Sequence, residues 1–156
     1  MSFQIHSLPA EEFTHMFTMS DSELAAINAR RMVVQSKPGT PCRVSMADAE
    51  IGDTVILLNY RHQPADSPYQ ATHAIFVREG AKQARLAVDE VPEVIRSRVI
   101  SLRLFDDNHM MIDADVVQGE ALAAAINEAF KDEKVSYAHL HNAKPGCFAA
   151  SVTRAT

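Results

Sequence analysis

Two short, dense apolar runs constrain this chain more than any other feature. Val55-Ile56-Leu57-Leu58 and Ala74-Ile75-Phe76-Val77 are each four residues long. Runs of that length bounded by polar residues read as buried strands rather than helices. The segment between them carries Tyr60, Arg61, His62, Asp66 and Tyr69, with His73 at its far end. Groups that bind or react commonly sit on loops held by rigid strands. A joining loop of about a dozen residues is long for a compact domain, and loops of that kind tend to be functional or disordered. Two tyrosines and two prolines in or beside it predict order.

The remaining pattern supplies more strands and a few helices. Pro9 suits a first helical position, with Glu11 and Glu12 in the first turn. Ser20 and Glu23 form a capping box, and Met19 and Leu24 are spaced as a hydrophobic staple. This predicts a helix from Asp21 to about Ala29, closed by Arg30 and Arg31. A short helix is expected over Val91–Arg98. Glu120–Lys131 carries Leu122, Ile126, Ala129 and Phe130 at helical spacing. Val99–Phe105 alternates Ile100, Leu102 and Leu104 with Ser101 and Arg103, and Ile112, Ala114 and Val116 alternate with Asp113 and Asp115. With Asp106-Asp107-Asn108-His109 as the turn, this is a hairpin with one wet face. Tyr137–Asn142 and Cys147–Thr153 form a second hairpin through Lys144-Pro145-Gly146. The expectation is an α+β fold over residues 1–156: a mostly antiparallel sheet with two to four helices packed on it, in a single compact domain.

Composition narrows the partners. The formal net charge is −5, and Arg30-Arg31 is the only adjacent basic pair. Nucleic-acid binders need clustered cations to displace counterions from phosphate, so no nucleic-acid partner is expected. No apolar run approaches the roughly 20 residues of a membrane span, and the N-terminus has neither the basic nor the apolar region of a secretory signal. Cys42 and Cys147 form no CxxC and no disulfide framework. A cytoplasmic protein with reduced thiols is expected. There is no P-loop, dinucleotide fingerprint, G-x-S-x-G or HExxH, so no specific motif implies a cofactor.

Three groups of residues carry candidate chemistry. His62 and His73 flank the central loop; either imidazole is suited to general-base work near neutral pH, with Asp66 as the orienting carboxylate. Asp66-Ser67-Pro68 is also ordinary turn chemistry. His139 and His141 form H-x-H on a strand, so both rings and Tyr137 project from one face. Pro145-Gly146 fits the centre of a type II turn. That even loop pairs His141 with Phe148 or Ala150 and sends Cys147 to the opposite face, against an H-x-H…C metal site. A hydrogen-bonded histidine pair is the favoured reading, and no metal is expected. Cys42 stands beside Arg43, but neighbouring strand residues face opposite ways, so Cys42 reads as a buried apolar thiol. The acidic group Asp106, Asp107, Asp113 and Asp115 reads as a solvated face.

The order Pro41-Cys42-Arg43-Val44-Ser45, Gly52-Asp53, Leu58-Asn59-Tyr60, His62-Gln63-Pro64-Ala65-Asp66-Ser67-Pro68-Tyr69 and Ala74–Glu79 resembles a small bacterial family, domain of unknown function 1203. The HQPADSPY stretch is its specific part. The resemblance extends to His139-x-His141 and Pro145-Gly146-Cys147. It implies a bacterial, soluble, single-domain protein and supplies no reaction, cofactor or catalytic residue.

Two functional readings follow. In the first, residues 59–73 and the His139/His141 strand build a pocket for a small-molecule ligand. Its catalytic groups would be His62, Asp66 and His73; its binding groups would be Cys42, Arg43, Tyr60, Arg61, Tyr69, His139 and His141. In the second, the same loop is the contact surface of a non-catalytic interaction module, such as a homodimer.

Overall fold

A computed structural model describes residues 2–155. Ten strands form two five-stranded sheets. The strands are β1 (Phe3–His6), β2 (Ala29–Val33), β3 (Pro41–Cys42), β4 (Ala47–Asp48), β5 (Thr54–Gln63), β6 (Ala71–Arg78), β7 (Val99–Phe105), β8 (Met111–Gln118), β9 (Tyr137–Asn142) and β10 (Phe148–Arg154). Three helices accompany them: α1 (Asp21–Ala26), α2 (Glu93–Arg96) and α3 (Leu122–Ala129), the last entered through a 3-10 turn at Gly119–Ala121. The first sheet runs β1-β10-β9-β7-β8 and the second β2-β5-β6-β3-β4. All pairings are antiparallel except β3 with β6.

The expected single sheet is therefore two. Alternation marks which face of a strand is buried but not which strand lies beside it. The 99–117 and 137–153 hairpins both form and share one sheet, because β7 pairs with β9 as well as β8. The 54–77 pair belongs to the other sheet. The fold is β-rich, and helices form a minor part of its one compact body.

Each sheet has its own core. The first covers Ile100, Leu102, Leu104, Ala138, Leu140 and Val152 with Leu122, Ile126 and Phe130 around α3. The second packs Ile56, Leu58, Ile75 and Val77 against Phe13, Met16 and Leu24. Ser20 caps α1 as expected: its Oγ accepts from Glu23 N at 3.2 Å, and its N–H donates to Glu23 Oε1 at 2.9 Å. The helix stops at Ala26, earlier than expected. Asn28 adopts a left-handed φ of 58°, which asparagine tolerates better than most residues. The chain thereby turns, and Arg30 and Arg31 enter β2 rather than closing the helix. Pro9 precedes two 3-10 turns, Ala10–Glu12 and Thr14–Thr18.

The β5–β6 connection is shorter than the sequence suggests. β5 continues through Arg61, His62 and Gln63, and β6 begins at Ala71. A bulge lies between the Tyr60↔His73 and Gln63↔Ala71 pairs. Only residues 64–70 form the loop, so His62 and His73 are strand residues and share the precision of the sheet.

Gly119 is required for steric reasons. A Cβ there would lie 2.4 Å from the backbone oxygens of both Ile95 and Arg96. Backbone cannot yield as a flexible side chain can, so Gly119→Ala is expected to destabilise the fold by about 2–3 kcal/mol, the upper range for overpacking. A urea midpoint within error of the parent would show that the α2–α3 junction is looser than described.

Candidate functional site

The site follows from strand periodicity on β9. Ala138 and Leu140 point into the α3 core, so Tyr137, His139 and His141 must point the other way. β7 lies alongside with Arg103 opposite His139, Ser101 opposite His141 and Phe105 opposite Tyr137. The Phe105 and Tyr137 rings stack at 5.1 Å with an interplanar angle of 9°. Ser101 and Arg103 were expected on a wet face. That face instead lies beside the β9 histidines and is met by His62 of the second sheet.

His62 on β5 meets this row from the other sheet. Its ring centroid lies 4.9 Å from that of His141 and 6.0 Å from that of His139. The His139 and His141 centroids are 6.4 Å apart. Phe148 lies against all three, stacked on His62 at 5.2 Å and edge-on to His139 and His141 at 5.3 and 5.8 Å. Relative exposure is 9% for His62, 6% for His139 and 2% for His141. The Nδ1 atoms of His62 and His139 are buried without a hydrogen-bond partner. His141 Nδ1 is 2.8 Å from the Gly146 carbonyl oxygen. Only an N–H can donate there, which leaves Nε2 of neutral His141 as an acceptor.

Burial governs the protonation of this cluster. It pushes His62 down to about 4, with His73 and Arg103 acting the same way. His139 falls to about 4 through burial, His62 and Arg103. His141 falls to about 3 through burial, opposed by the bond to Gly146 and reinforced by Arg103 and the other two imidazoles. All three rings are thus neutral at physiological pH. Arg103 is itself held below the usual guanidinium value by burial. Its Nε donates to Ser101 Oγ at 3.2 Å, and it forms no ion pair among the described residues.

A cavity of about 250 Å3 opens onto these groups, lined by His62, Gln63, Tyr69, Arg103, His139 and His141 together with Phe105, Met111 and residues of the 64–70 loop. The loop is fixed by its own polar groups. Ser67 Oγ accepts from Tyr69 N at 3.1 Å and donates to the His109 carbonyl at 3.1 Å. Tyr137 Oη accepts from Gln63 Nε2 at 2.9 Å and shares a 2.8 Å hydrogen bond with His109 Nδ1. One phenol thus ties together β5, β9 and the β7–β8 turn.

The other sequence candidates are dispersed. Asp66 is exposed and makes no hydrogen bond to either flanking histidine. Arg61 is exposed, and Tyr60 lies between Phe13 and Phe148. His73, opposite Tyr60 on β6, borders a different and larger cavity, as does Arg43. Cys42 is sealed in the second core, its sulfur accepting from Ser45 N and Arg78 N. Cys147 lines the larger cavity, away from the one that His139 and His141 line, and His141 pairs with Phe148; the hairpin is closed by Asn142 N to Cys147 O and Gly146 N to Asn142 O, a four-residue loop rather than the expected type II turn. Gln63, Arg103 and His109 were not among the sequence candidates. The position of Arg103 beside Ser101 on an alternating strand was the available signal, and it became informative only with the β7–β9 pairing. Among the described residues, no group of three or more His, Cys, Asp or Glu is arranged to hold a metal ion.

Two outcomes follow from this geometry. Tyr137→Phe leaves the buried Gln63 amide without its acceptor and should cost about 1–3 kcal/mol in urea unfolding. An unchanged midpoint would mean that water replaces the phenol at no cost. The imidazoles make stability depend on pH. Their folded values lie below the ordinary 6.5, so the unfolded chain binds more protons in acid. Stability should be fully present above about pH 6.5 and should fall from there to about pH 4 for His62 and His139 and to about pH 3 for His141, by up to about 1.4 kcal/mol per pH unit for each histidine. Equal urea midpoints at pH 7.5 and 5.0 would contradict the burial of these rings.

The family profile described as "Protein of unknown function (DUF1203)" matches residues 39–154. No curated protein matched the chain, and no solved structure did. No helix among the described residues is long and apolar enough to cross a membrane. The matched stretch includes both sides of the histidine cavity and most of the two sheets, and the chain belongs to the DUF1203 family.

Proposed function

We propose that this protein binds a small oxyanion, a carboxylate or a phosphate, in the histidine cavity between the two sheets. The observation that carries this reading is the charge of the lining. Arg103 contributes a half-buried guanidinium with no carboxylate partner among the described residues, and none of the eleven lining residues is acidic. A desolvated guanidinium offers paired N–H donors that match the oxygens of such a ligand. Gln63, Tyr69 and the neutral imidazoles add hydrogen-bonding groups around it. The 250 Å3 volume favours a ligand of few heavy atoms.

Binding is favoured over proton abstraction. A general base works best with a pKa near the working pH, and burial holds these imidazoles at about 4 and 3. At neutral pH they are better suited as neutral donors and acceptors that orient a ligand.

Calorimetric titration with malonate and with inorganic phosphate tests the proposal. The parent chain is expected to bind at least one of them. Arg103→Met should weaken that binding by about 10- to 100-fold, the loss expected when a charge-assisted hydrogen bond is removed. No heat with either anion, or equal affinity in the variant, would overturn the reading.

A further inference from the structure

The histidine cavity holds a hydrogen-bond acceptor that its own neighbours leave unsatisfied. His141 is 2% exposed, and its Nδ1–H donates to the Gly146 carbonyl at 2.8 Å. The neutral ring therefore presents Nε2 as an acceptor. That atom makes no hydrogen bond among the described residues, yet it is not sealed off as the Nδ1 atoms of His62 and His139 are. It opens to the cavity that the ring lines. A buried acceptor left without a donor is costly, so a ligand that displaces water from this cavity must bring the donor itself.

The surrounding groups decide what else that ligand carries. On the β7–β9 pair, Ser101 lies opposite His141 and Arg103 opposite His139. Arg103 Nε donates to Ser101 Oγ at 3.2 Å, which draws the guanidinium back along β7 toward the position facing His141. Directly opposed residues have Cβ atoms only about 4.5–5.5 Å apart. The cation and the imidazole acceptor are thus close enough for one small molecule to reach both through groups on neighbouring carbons. His62 and His139 have Nδ1 sealed without a partner, so their protons sit on Nε2, where an acceptor can be met. Both rings then add donors for an anion. No lining residue is acidic, so an ammonium beside Arg103 would find no counter-charge, which is costly in a buried site.

We propose that the ligand of this cavity is a short 2-hydroxycarboxylate, an assignment that rests on the oxyanion reading and names its ligand class. The carboxylate takes the Arg103 guanidinium, and the hydroxyl donates to His141 Nε2. A plain carboxylate or a phosphate dianion brings no donor and would leave Nε2 unsatisfied. An amino acid brings a donor together with an uncompensated positive charge. A hydroxyl supplies the donor without the charge. Tyr69, Phe105 and Met111 line the same cavity and suit a small apolar substituent, and the volume of about 250 Å3 holds the ligand to a few heavy atoms.

Calorimetric titration of the full chain with a matched series tests this. One enantiomer of lactate should bind at least about tenfold more tightly than propionate, the scale of one hydrogen bond to a buried acceptor. 2-Methoxypropionate keeps the oxygen but lacks the donor and should bind no better than propionate; alanine should bind more weakly than lactate by at least about tenfold. In His141→Phe, which keeps a ring and removes the acceptor, the ratio of lactate to propionate affinity should fall to about one. The series on the parent chain decides the point if that variant fails to fold. Lactate no tighter than propionate, methoxypropionate or alanine as tight as lactate, or an unchanged ratio in folded His141→Phe would each overturn the assignment. If malonate or phosphate binds while lactate shows no preference, the hydroxyl contact falls and the oxyanion reading stands. If no anion of either series gives heat, both fall.

Discussion

The arrangement depends on β9 being hydrogen-bonded along both edges. β7 and β10 hold its backbone, so its side chains have only two directions available. Ala138 and Leu140 are committed to the α3 core. The histidines between them have no freedom to reach solvent around a strand edge, and they are covered by whatever docks from the second sheet. His62 and Phe148 supply that cover. The buried imidazoles, their low proton affinity and the shape of the cavity all follow from this fixed backbone.

Much of the local structure was legible in the sequence. The Ser20–Glu23 capping box is realised atom for atom, and the alternation in Val99–Phe105 and the apolar spacing in residues 120–131 identify a strand and a helix. These signals are local, decided by residues a few positions apart. The side of Cys147 matches the expectation, but through a four-residue loop over 143–146 rather than the expected type II turn centred on Pro145-Gly146. Sheet membership was not legible, because the choice of neighbour depends on contacts across the whole chain. Arg103 shows the consequence: its strand was identified, but its surroundings came from β9 and β5. The bulge after Tyr60 was equally silent, and it separates His62 and His73 into different cavities although the sequence sets them symmetrically about one loop.

The two cavities differ in how they place positive charge. In the histidine cavity, three bases lose their protons on burial and a single half-buried arginine keeps the charge. In the larger cavity, a fully buried arginine keeps its charge and addresses a sulfur. Arg43 also bonds the carbonyl of Phe148, the residue whose ring lies against the three imidazoles. The backbone of residues 146–148 therefore forms a shared wall: Gly146 holds His141, Cys147 faces Arg43, and Phe148 closes the histidine cluster.

Because the imidazole cluster is made at the seam between the sheets, neither sheet contains it alone. Each ladder of hydrogen bonds is internally complete, yet His62 and the β9 histidines lie far apart in the chain and meet only across the seam. Sub-global opening along this boundary would erase the imidazole cluster while leaving the strands paired. The integrity of the cluster therefore reports on the docking of the two halves rather than on the secondary structure of either.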